Sequence, residues 1–211
     1  MEARKKIGIG ILLMVLGINT SAQRIWEERK GCFRGQGNLA AGYLFQQRQV
    51  GAYITGDMDL FFDNKVSMAG SAWYSFAVTN KDQPGLRANH AIFGGLNYHF
   101  TKKGRFDPYI GLTPGVSLVS VAYRDGETMR TSSISPVPVI SAAVGMNYYI
   151  GSIFHFFAKV QGVSGQTLGN IPVHTRLEEI KITAGLGWNI RIWKPKHRGD
   201  TLPVLFKGKN G

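Results

Sequence analysis

Three observations predict an all-β fold, an eight-stranded antiparallel up-and-down transmembrane β-barrel. Apolar and polar residues alternate without interruption from residue 179 to residue 192, and a two-residue period is typical of a strand with one apolar face. This strand would span roughly 45 Å, whereas strands of soluble proteins usually contain about 5–6 residues. The same period recurs in earlier segments, and short and long connections largely alternate between them, as in transmembrane barrels.

The apolar faces of the first four predicted strands justify each strand in turn. The first two faces comprise Leu39, Ala41, Tyr43 and Phe45, and then Val50, Ala52, Ile54, Met58, Leu60 and Phe62. The next two comprise Val66, Met68, Ala72, Tyr74, Phe76 and Val78, and then Ile92, Leu96, Tyr98 and Phe100. A tight turn at residues 63–65 precedes the third strand, and a polar loop that contains Pro84-Gly85 precedes the fourth.

The last four predicted strands follow the same pattern. The fifth begins at Pro108 and carries Ile110, Leu112, Val116 and Leu118, with a bulge or kink predicted at Pro114-Gly115. The sixth and seventh comprise Ile140, Ala142, Val144, Met146, Tyr148 and Ile150, and then Phe154, Phe156, Ala158 and Val160. The eighth is the strand at 179–192, whose apolar face comprises Ile180, Ile182, Ala184, Leu186, Trp188, Ile190 and Ile192.

The N-terminus predicts export. A basic start (Arg4, Lys5, Lys6), a short apolar run at 7–18 and the small residues before Gln23 indicate a signal peptide at 1–22. The mature chain would then comprise a periplasmic lead-in at 23–34, a barrel at 35–193 and a basic periplasmic tail at 194–211. The single cysteine, Cys32, excludes an internal disulfide framework.

The chain is strongly basic, with a formal net charge of +12. Such a charge suits nucleic acid, but export argues against it, so we expect no nucleic-acid partner. Anionic lipid headgroups and lipopolysaccharide are the expected partners. Lys102, Lys103 and Arg105 concentrate part of this charge in one turn.

Aromatic residues cluster near the predicted strand ends on the side of the short turns. This pattern is typical of the aromatic girdle of a transmembrane barrel. The predicted girdle comprises Phe61, Phe62, Phe100, Tyr109, Tyr148, Tyr149, Phe154 and Trp193. Phe76 and Tyr123 would belong to a second girdle at the opposite membrane interface.

The polar faces of the strands carry charges that predict a structural network inside the barrel. The interior of an eight-stranded barrel is only wide enough for side chains. The charges would therefore pair with one another there, and a narrow ion or water path is the alternative. The predicted lumen polar network comprises Asp57, Asp59, Lys159, Lys181 and Arg191.

We find no convincing catalytic or metal-binding pattern, and we predict no enzyme activity, no metal and no cofactor. The scattered histidines and the single cysteine lack the spacing of a metal site. A lipid A deacylase barrel would need an outward-facing His-x-Ser pair with a nearby acid. The nearest match, His99-Phe100-Thr101, lies at the wrong end of a strand. His90, Asp82 and Ser132 or Ser133 would lie at the rim, where palmitoyl transferases carry such residues, but nothing fixes their geometry. His155 is expected to be a hydrogen-bonding residue of the lumen.

The chain resembles the OmpA/OmpX-like superfamily of small outer-membrane β-barrels of Gram-negative bacteria. The similarity is carried by the signal that ends at Ser21-Ala22-Gln23 and by three strand segments, residues 106–116, 142–149 and 183–190. The resemblance implies an outer-membrane location and assembly by the barrel-insertion machinery, and the Ala22-Gln23 cleavage site is similar to those of Bacteroidetes. Family members usually end on the aromatic residue of the last strand, whereas Trp193 is followed here by a tail.

The resemblance is specific for architecture and weak for activity, because this fold hosts several functions. We expect a non-catalytic barrel that presents the loops at 80–88, 124–135 and 164–178 for adhesion or partner binding, or that acts as an envelope scaffold. One alternative is an accessory subunit of a larger envelope assembly that is contacted through the tail. Others are a soluble lipocalin-like barrel with its apolar residues inside and, last, a lipid-modifying barrel enzyme.

Overall fold

The computed structural model describes residues 28–79, 83–166 and 176–192. Its strands are β1 (Cys32–Leu44), β2 (Gln49–Phe61), β3 (Val66–Val78), β4 (Gly85–His99), β5 (Phe106–Asp125), β6 (Thr128–Thr131), β7 (Ser135–Tyr149), β8 (Phe154–Gln166) and β9 (Arg176–Arg191). The predicted signal peptide, Trp193 and the basic tail lie outside the described residues. No helix in the described ranges is long and apolar enough to cross a bilayer.

Eight of these strands form a closed antiparallel cylinder. Each pairs with the next along the chain, β5 pairs with β7, and β1 pairs with β9 to close the barrel. The short β6 pairs only with the end of β5, so it extends the wall without becoming part of the closed cylinder. The predicted eight-stranded up-and-down barrel is therefore confirmed.

The two ends of the cylinder differ in their connections. At the end that we call the turn end, β1 begins, β9 ends, and short turns at 62–65, 100–105 and 150–153 join the strands. The opposite end, which we call the loop end, carries the hairpin formed by β5 and β6. β1 begins at Cys32, earlier than the barrel boundary expected at residue 35.

The apolar faces of the strands point outward. Leu39, Ile92 and Ile182 are 67%, 69% and 62% exposed, whereas Lys181 and Thr183, the neighbours of Ile182, are buried in the lumen. An apolar outer surface around a polar interior is the arrangement of a membrane barrel. A lipocalin-like barrel would require the reverse, so that alternative is wrong.

Two local features of the strands differ from the predictions, because no bulge interrupts the pairing of β5 at Pro114-Gly115 and part of a predicted loop is a strand. The pairing register of β5 continues unchanged through Pro114-Gly115, and the register shifts instead occur between Ala52 and Tyr53 and between Leu86 and Ala88. The expected loop at 124–135 is partly a β-hairpin, because β5 continues to Asp125 and pairs with β6.

Candidate functional site in the polar lumen

The lumen near the turn end is built around the guanidinium group of Arg34. Its Nε and Nη2 donate to Oδ2 of Asp59 at 2.9 and 2.5 Å, and its Nη1 donates to Oδ2 of Asp107 at 3.3 Å. The rings of Phe61 and Tyr109 lie 5.2 and 5.7 Å from the guanidinium carbon. Arg34 is fully buried, so these contacts replace its hydration.

Both carboxylates in this cluster are satisfied by further donors. Ser67 Oγ and Asn97 Nδ2 donate to Oδ1 of Asp59 at 3.0 and 2.6 Å. His99 Nδ1 lies 3.0 Å from both oxygens of Asp107. Buried ionised groups are tolerated only when they are paired and hydrogen-bonded in this way.

The residues that precede β1 close the turn end. We call residues 28–31 the N-terminal strap. The backbone N–H of Arg29 donates to Asn64 Oδ1 at 2.8 Å, and its side chain donates to the Thr101 carbonyl at 2.5 Å and lies 2.9 Å from Asp107 Oδ1. Because Arg29 is fully buried, the strap is part of the packed lumen.

A second ion pair occupies the middle of the lumen. Lys159 Nζ donates to Asp57 Oδ1 at 2.7 Å across the barrel. Beside the pair lies a cavity of about 30 Å³, which Gln36, Asn97 and other polar residues also line. This volume holds a water molecule but no larger solute.

A third ion pair lies toward the loop end. Lys181 Nζ lies 3.3 Å from Glu179 Oε2 and sits 3.5 and 3.4 Å from the ring centres of Tyr53 and Trp73. Gly42 faces this group, and a Cβ at that position would approach both Glu179 and Tyr53 closer than van der Waals contact allows. The glycine thus lets the carboxylate reach the lysine.

Apolar side chains close the lumen on the loop-end side of Lys181. The fully or almost fully buried members of this layer are Leu44, Leu86, Val119, Val121, Val137, Val139, Val163 and Leu177. The described lumen therefore comprises charged, polar and apolar layers, and side chains fill it at both ends.

One set of lumen residues has the hydrogen-bonding order of a catalytic triad. Ser67 Oγ lies 3.1 Å from His99 Nε2, and His99 Nδ1 contacts Asp107. All three side chains are fully buried, and Ser67 also donates to Asp59. A nucleophile needs space for a substrate beside it, and Ser67 does not line the central cavity, so the geometry fits a structural network.

The five predicted lumen residues only partly pair with one another. Asp57 and Lys159 form an ion pair, but Asp59 pairs with Arg34 and Lys181 pairs with Glu179. Arg191 lies at the turn-end rim, where its Nη2 donates to the Glu28 carbonyl at 2.6 Å. The expected mutual pairing thus needs correction, because the partners of three of these residues were not in the predicted set.

Sequence reasoning missed Arg29, Arg34, Asp107 and Glu179 as members of the network. Glu179 lies two residues before Lys181 on the same face, and Asp107 lies two residues before Tyr109 on the same face of β5. The predicted strand at 179–192 already placed Glu179 on the same face as Lys181, and extending the fifth strand by one residue would have placed Asp107 in the lumen as well. No comparable signal exists for Arg29, which precedes β1.

The predicted girdle is divided between the two faces of the wall. Phe62, Phe100, Tyr148 and Phe154 are about half exposed on the outer surface. Phe61, Tyr109 and Tyr149 are instead buried in the lumen. Phe61-Phe62 and Tyr148-Tyr149 are consecutive pairs, and successive strand residues point to opposite faces, so only one member of each pair reaches the lipid. Phe76 is also exposed on the outer surface.

The rim residues considered for catalysis do not form a site in the described part of the chain. His90 stacks on Tyr74 with the ring centres 4.5 Å apart, and Ser132 Oγ accepts a hydrogen bond from the backbone of Val121. Asp82 lies outside the described residues. His155 hydrogen-bonds Gln36 in the lumen. No group of three or more potential metal ligands occurs within the described ranges.

Comparisons with known proteins support the architecture. No protein-family model and no curated protein sequence matches the chain significantly. The N-terminal β-barrel domain of Pseudomonas aeruginosa OprF superposes with a TM-score of 0.54 at 15% identity, covering 80% of this chain and 100% of that domain. Neisserial surface protein A gives a TM-score of 0.54 at 12% identity, covering 76% of this chain and 96% of that protein.

The attachment invasion locus protein Ail of Yersinia pestis is also similar, with a TM-score of 0.50 at 9% identity, and the match covers 76% of this chain and 99% of Ail. At these identities the likeness establishes the fold. The Bacteroidetes origin implied by the cleavage site stays a prediction. The chain therefore has the fold of the eight-stranded barrels found in the outer membrane of Gram-negative bacteria, which agrees with the predicted fold class.

Proposed function

We propose that this protein is a non-catalytic outer-membrane barrel that presents its loop end for adhesion or partner binding. The observation that carries the proposal is the filled lumen. Ion pairs and apolar side chains occupy the interior from the strap to the apolar layer. When no continuous path for solutes crosses the lumen, the exposed ends of the barrel are the surfaces that remain available for recognition.

The loop end has the features of such a surface. In barrels of this type, the short turns face the periplasm and the longer connections face outward. All four residues of β6 are exposed, and the apolar residues Met129 and Ile134 are 39% and 59% exposed. Arg130 and Asp125 form an exposed ion pair that links the two strands of the hairpin. A polar hairpin with exposed apolar residues suits protein recognition.

Two of the similar proteins have names that refer to the cell surface and to attachment, Neisserial surface protein A and Ail. These names support an adhesive role, although the same fold carries other functions. The expected lipid and lipopolysaccharide contacts follow from the apolar outer belt and from the net positive charge of the chain. The accessory-subunit alternative depends on the tail at 194–211, which lies outside the described residues.

Affinity capture tests the proposal. The full-length protein and a variant with residues 124–131 replaced by a Gly-Ser turn would be expressed in Gram-negative cells, purified from detergent-solubilised outer membranes and analysed by mass spectrometry. We expect a protein that co-purifies with the full-length chain and is lost from the variant. Equal recovery with both would contradict the role of the hairpin. Single-channel conductance across a planar bilayer would contradict the filled lumen.

A further inference from the structure

Two turns at the turn end form one basic surface. The turn at 62–65 lies beside the turn at 100–105, because the backbone N–H of His99 donates to the Lys65 carbonyl at 2.7 Å. Lys65 therefore lies close to the turn that contains Lys102 and Lys103. We call these three residues the turn-end lysines. Lys102 and Lys103 are exposed.

The acidic residues at this end do not neutralise the turn-end lysines. Asp63 accepts a hydrogen bond from the backbone N–H of Lys65 at 3.0 Å. Glu28 lies 3.8 Å from the guanidinium of Arg191. No ion pair of a turn-end lysine occurs within the described residues. The surface thus carries a local excess of positive charge.

The turn-end lysines also border the aromatic girdle. Lys65 Nζ donates to the hydroxyl of Tyr98 at 3.2 Å and lies 5.5 Å from the centre of its ring. Phe100 packs against Tyr98 with the ring centres 5.7 Å apart, and both rings are about half exposed to lipid. Aromatic rings on the outer face of a barrel mark the level of the headgroups, so the ammonium group of Lys65 beside Tyr98 lies at the level of lipid phosphates.

We propose that the turn-end lysines bind the headgroups of anionic phospholipids in the leaflet that contacts the turn end. Long ammonium side chains above an apolar belt reach the headgroup region while their alkyl stems cover apolar surface. Each lysine near an anionic membrane surface contributes roughly a five-fold increase in association. Three neighbouring lysines therefore select an anionic lipid over a zwitterionic one by about 100-fold.

This inference rests on the proposed membrane role, and it is tested separately from it. The purified full-length protein would be incubated with equimolar phosphatidylglycerol and phosphatidylcholine, and native mass spectrometry would give the ratio of the two bound lipids. We expect the wild type to favour phosphatidylglycerol. The triple variant Lys65→Gln, Lys102→Gln, Lys103→Gln should lose most of this preference, and the corresponding Lys→Arg variant should retain it.

The matched control removes three loop-end cations, with the substitutions Arg124→Gln, Arg130→Gln and Arg176→Gln. We expect this control to keep the preference for phosphatidylglycerol. An unchanged ratio in the turn-end variant, or an equal loss in both triple variants, would overturn the proposal. A wild-type protein that captures a partner through its hairpin but shows no preference for phosphatidylglycerol would contradict this inference alone.

Discussion

Replacing Arg34 by methionine should strongly destabilise the barrel. Arg34 is the cation between Asp59 and Asp107, and all three side chains are almost completely buried. Methionine keeps much of the volume of the arginine stem but removes the charge and its hydrogen bonds. Asp59 would then keep only neutral donors, Ser67 and Asn97, whereas Asp107 would keep Arg29.

The structure gives the size of the effect. Removing one partner of a buried ion pair costs about 3–5 kcal/mol. The remaining donors to both carboxylates favour the lower value, about 3 kcal/mol. The lost contacts of the guanidinium with the rings of Phe61 and Tyr109 add roughly 0.5–1 kcal/mol each. The expected loss in the free energy of unfolding is therefore about 4 kcal/mol.

Urea unfolding in phospholipid vesicles, followed by tryptophan fluorescence, measures this loss. Arg130→Met is the matched control, because it breaks an ion pair whose side chains are 63% and 53% exposed. Such a pair contributes at most about 0.5 kcal/mol once solvent screening is included. If Arg34→Met unfolds within about 1 kcal/mol of the wild type, the central role of the ion cluster is refuted.

Three further predictions concern the lumen, the strap and the outer surface. Lys159→Met should lower the free energy of unfolding by about 3 kcal/mol, because it leaves Asp57 in the lumen without its cation. Adding Asp57→Asn should recover part of this loss. A double-mutant cycle that gives no coupling between the two positions would contradict the ion pair. Arg29→Ala should release the strap and accelerate cleavage after Lys30 by a lysine-specific protease, whereas an unchanged rate would mean that other contacts hold it. Ile182→Arg should destabilise the inserted barrel by about 2–4 kcal/mol, and a neutral effect in the same vesicle assay would contradict a lipid-facing position.

The faces of the strands could be predicted from the sequence because they depend only on a local two-residue period. Ile182 and Lys181 illustrate this: their opposite environments follow from adjacent positions in one strand. The same rule corrects the girdle, since Phe61 and Phe62 cannot both reach the lipid. The prediction treated aromatic clusters as a property of the segment, although the strand period assigns each ring to one face.

The pairing of charges inside the barrel could not be predicted in the same way. Arg34 and Asp107 are 73 positions apart, and their contact depends on how the closed cylinder brings β1 and β5 into reach. A one-residue change in register would move every side chain of a strand to the opposite face. The hairpin of β5 and β6 was missed for a different reason, because residues 128–131 lack an apolar face.

The central claim is that lipid covers the apolar face of these strands. Single cysteines introduced at positions 180–186 in a Cys32→Ser background would be spin-labelled, and their collision rates with oxygen would be measured in vesicles. The account predicts high oxygen accessibility at 180, 182, 184 and 186 and low accessibility at 181, 183 and 185. The reverse alternation, or uniformly high accessibility to a water-soluble reagent, would contradict it.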